Sequence, residues 1–574
     1  MSDLRQAFAA GYSLLAAWSE LLDDINVFPV ADGDTGANLR ISLAPLRNPD
    51  DDPRLLCKRL AAAATGNSGN IAASFFTEFA LAESAAELAA RAATASLRAR
   101  HALAEPREGT MLTLFDRLAL VLTGAGGTLP GCDLLQEELR QAVLATPTLL
   151  PELRSAGVVD AGALAMYIFF DGFFRRLHGE AYHGPHLAEL FPGHLRVAAD
   201  YQGPLAIGSC VDAVVDLGDD QGGADAVRQA LDGLGDSLVL VDESQTMKIH
   251  LHTADPQQLR RRLADLGTVL RWQDSPLHDH RAQPMATARQ QPPLHLVSDA
   301  AGSLPRELAR SLGISLLDSY IVVGDQAIPE SLCQAEEIYR LLRQGQKVST
   351  AQAGTEERHQ HYRGICRQFG PSLYLAVGSA YTGNVQAALA WRQTDPDGLL
   401  LTVQDSGAAS GRLAVIAIAL ARSLATAASG ENLLSRARAL CDSCLEWVFI
   451  NELKYLVAGG RVSRAGGFFG DLLTMKPVVT PTAAGVRKLG VVRSQKAQVA
   501  FAEERLRQCF KASDRPLLLL QYSDNRPWLE EEVAPRLRRL LPEAELLLVP
   551  LSLTSGVHMG PGTWSLAAAP PPLP

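Results

Sequence analysis

The hydrophobic positions in the first third of the chain follow helical spacing. Near the start, apolar residues recur three, four or seven positions apart: Leu4, Phe8, Leu15, Trp18 and Leu22. The Ala- and Leu-rich stretches 71–95 and 161–177 continue this pattern, and β-branched runs are scarce among them. Such spacing gathers apolar side chains on one face of a helix. It predicts that residues 1–195 form an all-α domain.

The pattern changes at about residue 200. Short alternating or continuous apolar runs such as "VDAVVDL", "SLVLVDES" and "MKIHLHTA" are interleaved with two helical segments as far as residue 278. This mixture predicts a small α+β domain over 196–280. The segment 281–293 contains three prolines but no aromatic residue and no carboxylate. It is typical of a linker.

From Leu294 onward, apolar runs alternate with helical patterns. Several of the runs end in small polar residues, as in "LHLVSDA", "LYLAVGSA" and "LLLTVQDS". This alternation predicts an α/β domain over 294–574, with functional loops at the carboxyl ends of its strands. The stretch 476–494 instead predicts a β-hairpin that turns near Gly485.

Composition and charge exclude several classes of function. The 574 residues carry a formal charge of −10, so no long-range field would attract nucleic acid or anionic lipid. The eight cysteines are scattered and do not resemble a secreted disulfide scaffold. The first residues lack the pattern of an export signal, and the apolar run 413–428 is too short to span a bilayer and contains Arg422. We therefore expect a cytoplasmic protein that is not integral to a membrane.

Two carboxylates flank one glycine in "INVFPVADGDTGANLR", residues 25–40. A calcium loop beginning at Asp32 would need glycine and glutamate where Ala37 and Leu43 stand, so that interpretation fails. Two explanations stay open. Asp32 and Asp34 are either turn and capping residues ahead of a helix expected near Thr35, or a hard-cation site whose Mg²⁺ would hold phosphate oxygens.

Three further stretches bear on this choice. "TGNSGN" places Ser68 and the amides of Gly66 and Gly69 at the entrance to a helix expected near Ile71, which favours phosphate. "PREGTML" (106–112) and "GVVDAGALA" (157–165) are expected to open two more helices. No Walker A, GxGxxG or GxSxG pattern occurs, so no competing nucleotide or hydrolase motif is present.

Together with "NVFPVADGDTGAN", these stretches resemble the nucleotide-binding domain that bacterial fatty acid kinase shares with the L-subunit of dihydroxyacetone kinase, over nearly all of 1–190. The resemblance implies an eight-helix barrel with Mg·ATP at one end and Asp32 and Asp34 as metal ligands. Asn26 stands where the dihydroxyacetone kinase branch has a third carboxylate.

The same resemblance implies further nucleotide contacts. Asn38, Ser68 and Gly69 would contact phosphates, and Thr110 and Met111 would lie near the nucleotide. Asp160 would either orient the pocket or cap a helix.

The middle domain contains a candidate zinc site. In a strand, His250 and His252 project to one face, and Cys210 lies on an earlier strand. Such residues suit tetrahedral zinc but leave a fourth ligand unassigned, and half-buried structural histidines are the alternative. The block "LGDSLVLVDESQTMKIHLHTADP" resembles the middle domain of fatty acid kinases, where such residues surround a metal. Cys441 and Cys444 lack a second pair and are interpreted as structural.

The last 280 residues resemble the DegV family of fatty-acid-binding proteins through "VSTAQAG", "VGSAYTGNVQAA", "VQDSGAASG", the segment from "LKYLVAGGRVSR" to "KPVVT", and "HMGPG". The resemblance implies that Thr350 and Ser379 bind a fatty acid carboxylate and that His558 and Arg461 complete the polar cluster. Ala351 stands where the family often has serine, so one expected hydroxyl is absent.

These expectations combine into a single-chain fatty acid kinase that would use Mg²⁺ and ATP to form an acyl phosphate, with Asp32, Asp34 and Arg461 as catalytic residues. An acyltransferase that the sequence does not identify would consume the product. Two alternatives stay open: a fatty-acid-binding protein whose helical domain is a scaffold or sensor, and a dihydroxyacetone or polyol kinase. The sequence also leaves open whether the chain forms a homodimer through its helical domain.

Overall fold

The computed structural model describes residues 2–47, 52–180, 184–203, 208–218, 223–243, 246–277, 294–324, 326–424, 430–460 and 476–571. The chain divides into two compact units. The first comprises Met1–Thr287 with Arg363–Gln368, and the second comprises Ala288–Tyr362 with Phe369–Pro574. Each unit is described by itself. The predicted linker, 281–293, lies outside the described residues.

The first unit begins with an all-α region, as the apolar spacing predicts. Its helices are α1 (Ser2–Ala17), α2 (Ser19–Asp24), α3 (Thr35–Ser42), α4 (Pro53–Ala63), α5 (Gly66–Phe79), α6 (Leu88–Ala102), α7 (Met111–Gly124), α8 (Cys132–Leu149), α9 (Pro151–Ala156), α10 (Ala161–Leu177) and α11 (Leu187–Leu190). Neighbouring helices pack in the order α1, α10, α8, α7, α6, α5 and α3, and α3 returns to α1. The helical packing therefore closes into a ring.

A cluster of buried phenylalanines fills this ring. Phe8, Phe75, Phe79, Phe115 and Phe170 are all buried, and the rings of Phe75 and Phe115 stack with centroids 3.9 Å apart. Burying large aromatic side chains supplies much of the hydrophobic stabilisation of such a core. The ends of the helices are then left to carry the polar residues of the motifs.

Two elements in this region begin where the sequence alone does not place them. α5 begins at Gly66 rather than near Ile71, so "GNSG" forms the first turn of the helix instead of preceding it. The stretch 71–95 is divided between α5 and α6, because α5 ends at Phe79 and α6 begins at Leu88.

The α+β region follows as one antiparallel sheet. Its elements are β1 (Ser209–Asp216), α12 (Gly223–Leu231), β2 (Asp236–Glu243), β3 (Thr246–Thr253), α13 (Pro256–Leu266) and β4 (Thr268–Pro276). The strand order is β2-β3-β1-β4. Val239 and Val241 of β2 are buried in the same core as the helices, and Val239 forms a β-bridge with Leu103 at the end of α6. The sheet and the helical ring thus share apolar core and hydrogen bonds.

The second unit alternates strands and helices, which confirms the α/β expectation. Its elements are β5 (His295–Asp299), α14 (Arg306–Ser311), β6 (Ile314–Leu317), β7 (Ser319–Val323), β8 (Gln326–Pro329), α15 (Ala335–Arg343), β9 (Val348–Gln352), α16 (Thr355–Phe369), β10 (Ser372–Ala376), α17 (Asn384–Thr394), β11 (Leu401–Asp405), α18 (Ser410–Leu424), α19 (Gly430–Ser443), β12 (Leu445–Phe449), α20 (Leu453–Ala458), β13 (Lys476–Thr482), β14 (Gly485–Val492), α21 (Gln495–Cys509), β15 (Leu517–Tyr522), α22 (Arg526–Trp528), α23 (Ala534–Leu540), β16 (Glu545–Pro550), α24 (Leu553–Met559) and β17 (Trp564–Ala569).

Three sheets organise this unit. A parallel sheet has the order β11-β10-β5-β6, a mixed sheet has the order β14-β13-β12-β17-β15-β16, and a small sheet has the order β8-β7-β9. The hairpin predicted near Gly485 is confirmed by the antiparallel pairing of β13 with β14, and Gly485 adopts a φ of 105° at its turn. Most of the apolar run at 413–428 lies in the largely buried α18. Within the described ranges, no helix combines the length and apolar character needed to cross a bilayer.

Candidate functional site

The acidic loop between α2 and α3 holds its two aspartates in different settings. The side-chain amide of buried Asn26 donates a hydrogen bond to Oδ1 of Asp32 at 2.7 Å. Gly33 between the aspartates has a φ of 65°, a conformation that favours glycine. Asp34 is the residue before α3, but its side chain makes no capping hydrogen bond.

A residue that the sequence analysis did not single out caps α3. Oδ1 of Asp23 accepts a hydrogen bond from the Ala37 amide at 3.0 Å. Asp23 therefore performs the role that the capping explanation assigns to Asp34. The carboxylate of Asp34 lies beside that of Asp32 and does not cap the helix.

The paired carboxylates are electrostatically unfavourable by themselves. Burial, followed by the charge and hydrogen bonding of Asp34, raises the pKa of Asp32 to about 8. Two adjacent carboxylates can be stabilised by a shared proton or by a cation. Oxygen donors of this kind suit a hard divalent cation such as Mg²⁺.

The first turn of α5 packs tightly against α3 through two glycines. A Cβ on Gly66, whose φ is 65°, would lie 2.0 Å from Nδ2 of Asn38, and a Cβ on Gly69 would lie 2.0 Å from Oγ of Ser42. The glycines thus allow Asn38 to lie directly against this turn. Ser68 Oγ is buried and has no hydrogen-bond partner among the described residues, so this hydroxyl is available to a ligand.

The sequence predicts that the Gly66 amide faces a phosphate, but in the structure this amide has a protein partner. It donates a hydrogen bond to Oδ2 of Asp212 on β1 at 3.2 Å. The same carboxylate accepts from Oγ1 of Thr65 at 3.2 Å and from Nδ2 of Asn70 at 3.1 Å. Sequence reasoning missed Asp212, although it lies two positions after Cys210 and therefore shares its side of the strand.

The middle sheet brings the predicted zinc ligands together. In the pairing of β1 with β3, Cys210 lies opposite His252 and Asp212 lies opposite His250. Sγ of Cys210 lies 3.8 Å from Nδ1 of His250, and one donor atom each from Cys210, His250 and His252 fall within 4.8 Å of one another. His250 Nε2 is buried and lacks a hydrogen bond within the described residues, whereas Nδ1 of His252 lies 3.6 Å from Oδ1 of the exposed Asp236.

The electrostatics link this cluster to the acidic loop. Burial raises the pKa of the Cys210 thiol, and the charge of Asp212 raises it further. Asp34 and Asp32 act in the same direction, so the acidic loop lies within electrostatic reach of the cysteine. Without a cation the thiol stays protonated, whereas a bound metal would favour the thiolate.

Asp212 is ionised despite its surroundings. Burial opposes its ionisation, but the hydrogen bond from His250, the Gly66 amide and the charge of Lys248 hold the pKa of Asp212 well below its usual range. Nδ1 of His250 lies 3.3 Å from Oδ1 of Asp212. A carboxylate is therefore present next to the candidate ligands, where the sequence leaves the fourth ligand unassigned.

The remaining predicted nucleotide residues act at helix ends. Thr110 caps α7 by accepting a hydrogen bond from the Leu112 amide at 3.3 Å. Asp160 caps α10, because its Oδ1 accepts from the Ala163 amide at 2.7 Å, and burial raises its pKa to about 7. A Cβ on Gly162 would lie 2.6 Å from Met111 Cε and 3.2 Å from Asp160 Oδ1. Met111 and Asp160 thus meet at one glycine, and Asp160 performs the capping role left open for it.

The second unit brings two of the predicted lipid residues together. Oγ1 of Thr350 on β9 lies 2.9 Å from Nε2 of His558 on α24. Ser379 follows β10, in a different sheet from β9, and its backbone amide lies 3.3 Å from both carboxylate oxygens of Asp405. Arg461 lies outside the described residues.

The carboxylate of half-buried Glu330 holds the helix that carries His558. Oε1 of Glu330 accepts a hydrogen bond from the Leu553 amide at the start of α24 at 2.6 Å, and Thr554 donates to the same carboxyl group. Burial raises the pKa of Glu330 to about 7. Glu330 therefore fixes the start of α24, five residues before the histidine.

Three family models match the chain in succession. Residues 29–175 match the DAK2 domain, residues 206–281 match the FakA-like middle domain of fatty acid kinase, and residues 293–571 match the DegV family of uncharacterised proteins. These matches agree with the order of the helical, α+β and α/β regions.

Curated relatives match part of the chain. Protein YloV of Bacillus subtilis strain 168 is 28% identical over 361 residues, which are 56% of this chain and 64% of that protein. An uncharacterised protein of Staphylococcus aureus strain bovine RF122 is 28% identical over 265 residues, which are 42% of this chain and 48% of that protein. The chain thus spans less than two thirds of the length of either relative.

Two solved structures are similar to about half of the chain. A fatty-acid-binding DegV family protein from Thermus thermophilus is 26% identical, with 48% of this chain and 99% of that chain covered and a TM-score of 0.44. DegV, a fatty acid binding protein from Bacillus subtilis, is 18% identical, with the same coverage and TM-score. The three family matches by themselves identify a multidomain chain, in which successive regions match a DAK2 domain, a FakA-like middle domain and a DegV-family domain.

Proposed function

We propose that this protein is a fatty acid kinase that transfers the γ-phosphoryl group of ATP to a fatty acid carboxylate. The observation that carries the proposal is the arrangement of Asp32 and Asp34. Asp23 caps α3 in place of Asp34, and the paired carboxylates belong to a region that matches the DAK2 domain. They are suited to hold Mg²⁺, which would neutralise phosphate charge when bound.

The chain's own residues would chiefly position the reactants. Asn26 holds Asp32 by a hydrogen bond, Asn38 lies against Gly66, and the buried Ser68 hydroxyl is a donor suited to a phosphate oxygen. Thr110 and Met111 would flank the nucleotide. Phosphoryl transfer needs little covalent chemistry from the protein, so positioning and charge neutralisation account for most of the catalysis.

The transfer step balances without a general base. A carboxylate oxygen of the fatty acid attacks the γ-phosphorus, and the bond from that phosphorus to the bridging oxygen of ADP breaks. The products are an acyl phosphate and ADP. In the proposed DegV-like lipid site, Thr350 and His558 would hold the carboxylate, with Ser379 and Arg461 as further predicted contacts. An acyltransferase would consume the acyl phosphate.

The middle cluster fits zinc by its donors. The half-buried Cys210 and the buried His250 and His252 supply one sulfur and two nitrogens, and His250 Nε2 has no hydrogen-bond partner among the described residues. Such donors suit a tetrahedral zinc ion. When bound, zinc would stabilise the thiolate and fix the three strand residues. A cytoplasmic location and a homodimer also belong to this proposal.

The test is an assay of the purified chain with Mg·ATP, oleate and hydroxylamine, in which mass spectrometry detects the acyl hydroxamate. We expect Asp34→Asn to lower product formation by roughly a hundredfold or more, because a metal ion supplies several kcal/mol of charge stabilisation. Asp24→Asn, at an exposed aspartate nearby, should leave the rate unchanged. Absence of product from the wild type, or equal product from Asp34→Asn, would contradict the proposal.

Two further measurements separate the alternatives. Lipid extracted from the purified protein, together with turnover absent under all conditions, would favour a binding protein with a scaffold domain. Sustained phosphorylation of dihydroxyacetone would favour a polyol kinase. For the lipid site, Thr350→Val should weaken fatty acid binding about tenfold through the lost hydrogen bond, whereas Thr394→Val at the exposed end of α17 should not.

A further inference from the structure

Asp212 connects two regions that the proposed function uses separately. Its carboxylate accepts hydrogen bonds from Thr65, Gly66 and Asn70 of the helical region. It also lies 3.3 Å from Nδ1 of His250 in the middle sheet. One half-buried carboxylate thus joins the first turn of α5 to the candidate zinc cluster.

A second charged residue of the same sheet reinforces this arrangement. Lys248 is buried on β3, and its Nζ donates hydrogen bonds to the carbonyl of Ala61 at 3.1 Å and to that of Ala64. These carbonyls belong to the end of α4, immediately before Thr65 and α5. The sheet therefore contacts the junction between the two helices with one cation and one anion.

The signs of these charges match the helix ends that they contact. The carbonyl end of α4 has partial negative charge and receives the ammonium group of Lys248, whereas the amide end of α5 has partial positive charge and receives the carboxylate of Asp212. Buried ionic groups are tolerated when their hydrogen bonds are satisfied. Both contacts meet this condition, so they fix the sheet on the α4–α5 junction.

Asp212 leaves part of the α5 turn open to a ligand. It accepts from the Gly66 amide and from the side chains of Thr65 and Asn70, but the buried hydroxyl of Ser68 has no hydrogen-bond partner among the residues described. The turn is held from the side of the sheet. The Ser68 hydroxyl stays available for phosphate.

We propose that Asp212 is a positioning residue that holds the phosphate-binding turn of α5 and His250 in a fixed relation. This inference rests on the proposed nucleotide site but not on the identity of the phosphate acceptor. Asp212 acts through Gly66, Asn70 and His250 and does not contact the reacting atoms. Its loss would allow the turn and the Cys210 cluster to move independently, since one shared acceptor currently orders both.

The first test measures hydrogen exchange of the full chain without nucleotide. In Asp212→Asn, we expect the amides of residues 64–70 to exchange about tenfold faster or more, because local opening governs exchange of such amides. Asp232→Asn replaces an exposed aspartate of the same sheet region and should leave this exchange unchanged. Unaltered exchange in Asp212→Asn would overturn the proposal. This readout does not depend on catalysis.

The second test separates positioning from metal ligation. Asp212→Asn should raise the KM for ATP about tenfold with a smaller change in kcat, as expected when ground-state binding is impaired. Zinc content after purification with zinc should stay at the wild-type level. Loss of zinc with unchanged exchange at 64–70 would make Asp212 a ligand and would refute the positioning role.

Variants of the partner residues keep the test decisive if Asp212→Asn does not fold. Asn70→Ala and Thr65→Val each remove one donor and should produce smaller changes of the same kind in exchange at 64–70. Combining Asn70→Ala with Asp212→Asn should be less than additive, because both remove one shared interaction. If the effects of Asn70→Ala and Asp212→Asn on exchange were additive, the proposal would be contradicted. Normal exchange at 64–70 in both Asn70→Ala and Thr65→Val would also contradict it. If hydrogen exchange changes as expected but the wild type forms no kinase product, the proposed function is refuted, whereas the role of Asp212 in holding the α5 turn is still supported.

Discussion

Asp23 accepts a hydrogen bond from the Ala37 amide at 3.0 Å and thereby caps α3. Asp34 stands directly before the helix, where a capping residue would be expected, yet its side chain makes no such bond. This difference between Asp23 and Asp34 is important because a carboxylate that caps a helix is less available to a cation. Asp23 at one side and Asn26 at the other therefore support the acidic loop and leave Asp34 to a ligand.

Replacing Asp23 should impair the loop without removing a proposed ligand. We expect Asp23→Ala to lower the free energy of unfolding by about 1 kcal/mol, as for the loss of a helix cap, and to weaken binding of Mg·ADP severalfold. Asp34→Ala should reduce Mg²⁺-dependent binding far more while changing stability little. Calorimetric titration with Mg·ADP and urea unfolding measure the two quantities. An Asp23→Ala variant that binds and unfolds like Asp24→Ala would contradict this prediction.

Substitution of Gly66 should be unfavourable for two separate reasons. The φ of Gly66 is 65°, and a Cβ would lie 2.0 Å from Asn38. Gly157 has a similar φ of 72°, but apart from its chain neighbours no atom of the described residues lies within 4 Å of the position that a Cβ would take. Both alanine variants should be less stable by about 1 kcal/mol through backbone strain. Only Gly66→Ala should also weaken nucleotide binding, because Asn38 must move.

Isothermal titration with Mg·ADP compares the two glycine variants. If Gly157→Ala weakens nucleotide binding as much as Gly66→Ala, backbone strain alone accounts for the effect and the role of Asn38 is refuted.

The cysteine and histidine cluster should retain a metal ion. Purified in the presence of zinc, the wild type should contain about one zinc ion per chain, as expected for a single site of this donor type. Cys210→Ser and His250→Ala should lose most of it, whereas Cys509→Ser at an exposed cysteine should not. Elemental analysis after dialysis gives the content. Wild-type protein that elutes without zinc would refute a zinc site.

The raised pKa of Glu330 predicts that the stability of the folded protein depends on pH. The pKa of Glu330 is raised from 4.5 to about 7 in the folded protein, so the folded state binds the proton more tightly than the unfolded state. Its contribution to stability is therefore fully present below pH 4.5 and is lost as the pH rises through about 7, by up to about 3 kcal/mol. Glu330→Gln should remove this part of the pH dependence.

Urea unfolding of the full chain at pH 5 and pH 7.5 tests the Glu330 prediction. The difference in unfolding free energy between the two pH values should be smaller in Glu330→Gln than in the wild type. Glu307→Gln at an exposed glutamate should behave like the wild type. Equal pH dependence in all three proteins would show that the Glu330 proton is not coupled to folding.

Local patterns predicted the elements well. Apolar spacing identified the helical ring, the small sheet and the α/β region, and turn chemistry identified the hairpin at Gly485. The two-residue period of strands placed His250 and His252 on one face, and the structure brings both next to Cys210. These features depend on residues that are close together in the chain, and for this reason they can be predicted from the sequence.

The residues that were missed depend on distant partners. Asp212 contacts Gly66 across 146 positions, and Lys248 contacts Ala61 across 187. The two-residue period places Asp212 on the side of Cys210, but no local pattern shows that either side chain contacts the helical region. The start of α5 was misplaced for a related reason, because glycine and asparagine are weak helix formers and packing against α3 stabilises the first turn.

The burial of Val239 and Val241 among the helices has a consequence for how the first unit comes apart. Since these strand residues complete the helical core and Leu103 bridges to Val239, neither region can lose its structure without exposing apolar surface of the other. We therefore expect the helical ring and the small sheet to melt as a single cooperative unit, even though they match two separate domain families. Cutting the chain between them would leave the ring with a solvent-exposed apolar face and a tendency to aggregate.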